Sequence, residues 1–87
     1  MLKQKVLISN PSGLHLRPAG ILSNLAMKFK SDIRILYGEK NIAAKSVLNV
    51  MAAGIKTGSE VELVCDGEDE QAAMDALTKA IGEGLGE

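Results

Sequence analysis

At 87 residues and a net charge of −1, with 46% hydrophobic and 24% charged residues, the chain is long enough for one folded domain and too apolar to stay disordered. No apolar run approaches the ~20 residues of a membrane span, the opening MLKQKVLISN lacks the apolar heart of a signal peptide, and Cys65 is the sole cysteine. These limits exclude a disulfide framework and a cysteine metal cluster, and they set the expectation of a cytoplasmic, cofactor-free protein with no membrane insertion.

The hydrophobic period then switches between strand and helix in short steps. Leu2–Ile8 reads as a strand with Leu2, Val6 and Ile8 on one face and Lys3 and Lys5 on the other. Ser9–Gly13 (SNPSG) is a cluster of turn formers and reads as a loop. From Leu16 to Phe29 the spacing is helical, with Ile21, Leu22, Leu25, Ala26 and Phe29 predicted to share one stripe. Asp32–Tyr37 alternates again, and Gly38–Asn41 turns it into a short strand at Ile42–Ala43. Ser46 is placed to cap a short helix, Val47–Ala53, ended by Gly54. Ser59–Cys65 is a strand with Val61, Leu63 and Cys65 inward. Asp69–Ile81 is an amphipathic helix, acidic at its start, with Lys79 near its end. The order β-α-β-β-α-β-α predicts an α+β fold, a single-domain open-faced sandwich: a four-stranded antiparallel sheet with helices on one face.

Charge is unevenly spread along the chain. Residues 1–58 carry nine Lys/Arg against Asp32 and Glu39, a net of +7, whereas residues 59–87 carry Lys79 against nine carboxylates, a net of −8. Charges separated along the chain can mix in the fold, so the simple reading is a solvated, dipolar surface; the sharper one is a basic face that steers acidic protein partners. With Tyr37 and Phe29 the only aromatics, and no basic cluster, nucleic acid is not an expected partner.

The segment that carries chemistry is GLHLRPAG, residues 13–20. His15 is the only histidine, and it stands where a turn-rich loop meets a helix. Pro18 suits a first helical turn, where its missing N–H costs nothing. A helix start offers unpaired N–H groups, here near Leu16 and Arg17, and a partial positive charge that together suit a phosphate. Arg17 adds a planar guanidinium able to grip phosphate oxygens. Neutral imidazole is a nucleophile that forms covalent intermediates near neutral pH. Nothing else completes a hydrolase: there is no Ser/His/Asp set, metal cluster or glycine-rich nucleotide loop, and the expectation is a carrier with a transient phosphohistidine, not an enzyme. A lone loop histidine beside an arginine is more often an ordinary surface residue, and it is the whole pattern that raises the functional reading.

That pattern resembles the active-site signature of the histidine-containing phosphocarrier (HPr) family of the bacterial sugar phosphotransferase system. The similarity extends along the chain in length, element order, a serine at position 46 before a short apolar helix, and the ending EGLGE. It implies that His15 is phosphorylated on Nδ1 by enzyme I and dephosphorylated by sugar-specific enzyme IIA domains. Arg17 would then contact the phosphate and Pro18 shape the loop. Two positions depart from the family pattern, in which Ala or Thr is commoner at Leu16 and at Gly20; both are expected to bear on which partners fit.

Val47–Ala53 carries only one polar residue, Asn49, although a helix on one face of a sheet needs only about a 100° apolar stripe. Some of Val47, Leu48 and Met51 should therefore be exposed and form a partner-binding patch. For Ser46 the simple reading is an N-cap. The resemblance implies a second: phosphorylation by an HPr kinase/phosphorylase, with the modified form acting as corepressor of catabolite control protein A. A phosphate there would add about −1.5 to −2 charge at the helix start, inside an apolar docking patch. Two alternatives stand beside the phosphocarrier reading: a regulatory or other-pathway paralogue acting mainly through Ser46 and its patch, and a small adaptor without phosphate chemistry. The expected state is a monomer.

Overall fold

The computed structural model covers residues 1–87 and contains four strands and three helices. In chain order these are β1 (Leu2–Leu7), α1 (Leu16–Ala26), β2 (Asp32–Tyr37), β3 (Lys40–Ala43), α2 (Val47–Ala52), β4 (Glu60–Asp66) and α3 (Glu70–Gly82). Every strand pairing is antiparallel, and the spatial order is β1-β4-β2-β3. This is the open-faced sandwich the periodicities predict.

The alternation in β2 and β4 sends Ile33, Ile35, Val61, Leu63 and Cys65 into the core. Burial also raises the Cys65 thiol above its ordinary pKa, as befits a small core residue. Arg34, Leu36 and Val64 face the open side of the sheet, where a shallow depression also takes in Lys3 and Asp66. β2 and β3 are joined by a two-residue turn, Gly38-Glu39, and Tyr37 pairs with Lys40. Gly38 takes φ +60°, which a glycine at the first turn position accepts without strain.

Helix α1 differs from its predicted stripe. The face it buries is Pro18, Ala19, Leu22, Ser23 and Ala26, while Ile21 is 36% exposed. Small residues win that face because α1 also packs against α2 and α3, and Ala19 and Ala26 allow the close approach. Ser23 is the cost: its hydroxyl is buried without a partner. Below α1, the Asp69 carboxylate accepts from the Lys30 amide (2.8 Å), the Ser31 amide (2.9 Å) and the Ser31 hydroxyl. Asp69 stands at the N-cap position of α3 yet does not cap it with its side chain. Its carboxylate instead ties the α1–β2 connection to the start of α3.

The end of the chain turns sharply. Gly84, Leu85 and Gly86 all have positive φ, and Leu85 does so while only 2% exposed. A non-glycine residue in that region is strained, and burying its isobutyl group offsets the strain. The turn delivers Glu87 to the loop before α1.

Candidate functional site

The loop from Ile8 to His15 is fixed from two sides. On one side, Gly58 donates to the Ile8 carbonyl at 2.7 Å and Leu14 donates to the Ile55 carbonyl at 2.9 Å. Gly13 lies so close to the chain at 55–57 that a Cβ on it would sit 2.6 Å from the Ile55 oxygen and 2.9 Å from the Lys56 Cα. Its φ of +65° points to the same requirement for glycine. On the other side, the Glu87 carboxylate accepts from the Ser12 hydroxyl (2.8 and 2.7 Å), the Ser12 amide (3.1 Å) and the Asn10 side-chain amide (3.0 Å). Asn10, buried to 2% exposure, also donates to the Gly13 carbonyl at 2.6 Å. Asn10 first, then Ser12, with Arg17 adding its charge, hold the Glu87 carboxyl below its ordinary pKa.

On this frame sits His15, the N-cap residue of α1, with an extended backbone (φ −77°, ψ −171°) and an exposed side chain. Its ring makes no cap hydrogen bond, so the imidazole is not committed to holding the helix. Its carbonyl accepts from Ala19 at 2.8 Å, the first bond of α1. The amides of Leu16 and Arg17 find no acceptor in the chain, which leaves two donors beside the ring. Arg17 is exposed and forms no ion pair, whereas Pro18 is buried in the first turn. Leu16 is 65% exposed next to His15, and Gly20 is half-buried with open space where a Cβ would be. A cavity of about 150 Å³ adjoins His15, lined among others by Ser12, Leu14, Met51, Ile55 and Lys56.

Met51 brings the second region into contact with the first. Helix α2 buries Val50, half-buries Val47 and Met51, and leaves Leu48 73% exposed. Exposure of part of the apolar set is what the sequence requires of this helix. Ser46 caps it, its hydroxyl accepting from the Asn49 amide at 3.3 Å. Lys45 is engaged elsewhere, donating to the Phe29 carbonyl at 2.8 Å. The sequence groups His15, Arg17 and Pro18, which the structure places together at the start of α1, but treats the α2 patch as a separate site. It does not single out Asn10, Ser12 and Glu87, which fix the loop, or Lys56, which lines the cavity, because these placements depend on contacts between distant segments; only the density of turn formers in SNPSG hints at the first two.

Comparison with known proteins agrees with this architecture. Residues 2–83 match the PTS-HPr family, described as the PTS HPr component phosphorylation site. The phosphocarrier protein HPr of Mycoplasma capricolum subsp. capricolum is 42% identical over 81 residues, spanning 93% of this chain and 91% of that protein. The HPr-like protein Crh of Bacillus subtilis is 37% identical over 83 residues, spanning 95% and 98%. Among solved structures, HPr of Thermoanaerobacter tengcongensis superposes with a TM-score of 0.96 at 37% identity, covering 100% of this chain and 98% of that one. That relative has also been solved as a dimer, with a TM-score of 0.80 and full coverage of both chains. The chain thus belongs to the HPr family, the phosphocarrier proteins of the phosphotransferase system.

Proposed function

We propose that the protein is a phosphoryl carrier in which His15 accepts the group from enzyme I and donates it to sugar-specific enzyme IIA domains. The observation that carries this reading is His15 itself: an exposed, uncommitted imidazole at a helix start, with two free amides and Arg17 beside it. In the forward step the Nδ1 lone pair attacks phosphorus, the N–P bond forms, and the bond from phosphorus to the donor breaks. The new phosphoryl oxygens gain the Leu16 and Arg17 amides and the Arg17 guanidinium. Each exposed contact of this kind is worth on the order of 0.3–1 kcal/mol. Modest stabilisation suits a group that must leave again, and transfer to the acceptor is the same step reversed. Leu16 and Gly20 lie at the partner-facing start of α1, and Val47, Leu48 and Met51 extend that surface.

Incubation with enzyme I and phosphoenolpyruvate tests the reading. An acid-labile phosphate is expected on the wild-type chain and none on His15→Ala; label that persists in His15→Ala would sink it.

Ser46 supports a regulatory role in addition. Its hydroxyl faces solvent enough to be reached, caps α2, and adjoins the apolar patch that borders the His15 cavity. A kinase of the HPr kinase/phosphorylase type would place a dianion there, strengthening the helix start while repelling acidic partners, and catabolite control protein A is the proposed reader. Ser46→Asp in the same incubation should slow phosphate incorporation at His15, and an unchanged rate would remove the regulatory reading. The relation to Crh keeps a mainly regulatory paralogue as the second reading; the presence of His15 and Arg17 favours the carrier.

A further inference from the structure

Resting on the phosphocarrier reading, we infer that Lys56 is a second cation for the phosphoryl group on His15. Lys56 and His15 line one cavity of about 150 Å³. Arg17 is not among the residues lining it, so Lys56 is the only lysine or arginine on that cavity. No carboxylate lines the cavity either, and the Lys56 ammonium forms no ion pair or side-chain hydrogen bond. By contrast, Lys40 donates to the Ala53 carbonyl and Lys45 to the Phe29 carbonyl, so those two lysines are spoken for.

What makes Lys56 more than a passing surface lysine is how its backbone is held. The Gly13 approach places the Lys56 Cα and the Ile55 carbonyl directly against the residue two before His15. The Leu14 amide, adjacent to His15, donates to that same Ile55 carbonyl at 2.9 Å. The two segments are held together there, so the lysine stem starts from a fixed point against the chain just before His15. A compact ammonium with three rotatable donors on such a stem can follow a phosphoryl group that forms and departs. When His15 is unmodified the cation has no partner in the cavity; when the dianionic group arrives, the charge is met.

The test loads the intact chain with phosphoramidate, so no partner protein is involved. The His15 ring nitrogen attacks phosphorus, the reagent's P–N bond breaks, and ammonia leaves. Phosphorus NMR then follows two quantities: the lifetime of phospho-His15 as water attacks phosphorus and breaks the N–P bond, and the pH midpoint of the phosphoryl group's own ionisation. Lys56→Gln should shorten the lifetime about threefold, the effect of one unit charge a few ångströms away in a water-like medium. It should also move the midpoint upward, because the dianion has lost a cation, and both effects should fade in 1 M salt. Lys56→Arg should restore both.

Equal lifetimes and midpoints in wild type and Lys56→Gln would overturn the inference while leaving the carrier reading intact. So would a loss that Lys56→Arg fails to restore, since that would indicate packing rather than charge. Failure of the wild-type chain to take phosphate on His15 at all would instead overturn the carrier reading, and this inference with it.

Discussion

Among single residues, Asp69 shows most clearly how a side chain can act against its local expectation. An aspartate at an N-cap ordinarily serves its own helix, yet here three donors from residues 30 and 31 claim it. The Ser31 hydroxyl first, then the Lys30 and Ser31 amides, lower its pKa from 3.8 to about 2. The unfolded chain therefore binds a proton that the folded chain refuses. The contribution to stability is complete above the unfolded pKa, and is lost as pH falls from 3.8 through about 2. Urea midpoints measured across that window should fall for the wild type and fall less steeply for Asp69→Asn. Glu70 and Glu87, also lowered, keep their own shares in both proteins. Parallel slopes would show that the Ser31–Asp69 contact contributes nothing.

Between elements, the working part of the fold is the contact of the loop before α1 with the α2–β4 connection. Gly13→Ala probes it directly, since the methyl group would enter the space of the Ile55 carbonyl in a left-handed backbone. A loss of about 3 kcal/mol in chemical denaturation is expected, combining backbone strain with overpacking. A loss below roughly 0.5 kcal/mol, the usual range for surface changes, would mean that the loop simply shifts away. The same contact explains what the sequence made legible and what it did not. Strands β2 and β4 and helix α3 could be read because each follows its own period, and the grouping of His15, Arg17 and Pro18 at the start of α1 because they lie within four consecutive residues. The α1 stripe was misjudged at Ile21 because a three-helix layer favours Ala19, Ser23 and Ala26 at the close approaches, a choice no single helix displays. The roles of Ser12, Lys56 and Glu87 were illegible for a related reason. Each is a surface residue in its own segment and acquires meaning only when residue 12 meets residue 87 on one side and shares a cavity with residue 56 on the other.

For the molecule as a whole, the exposed surface bears on assembly. The chain exposes 4849 Å², against roughly 4,900 Å² expected of a folded monomer of its mass. That match describes the compactness of one chain, which a protomer of a dimer would share, and a relative forms a dimer in one solved structure. Sedimentation equilibrium should return about the 9.2 kDa of one chain at micromolar concentration. A species of twice that mass would show that the surface is completed by self-association instead.

The strand order carries one more consequence, for synthesis on the ribosome. β1 is made first, yet its only partner is β4, which also separates it from β2. The nascent amino-terminal strand must therefore wait, unpaired, while residues 8–59 are translated. At roughly 5–20 residues per second that interval is several seconds, far longer than the microseconds in which a hairpin such as β2–β3 can close. The β2–β3 hairpin can thus close while β1, at the opposite edge of the sheet, still lacks its partner. The late arrival of β4 lets the sheet, and the His15 loop anchored through residues 55–58, form together in one vectorial step.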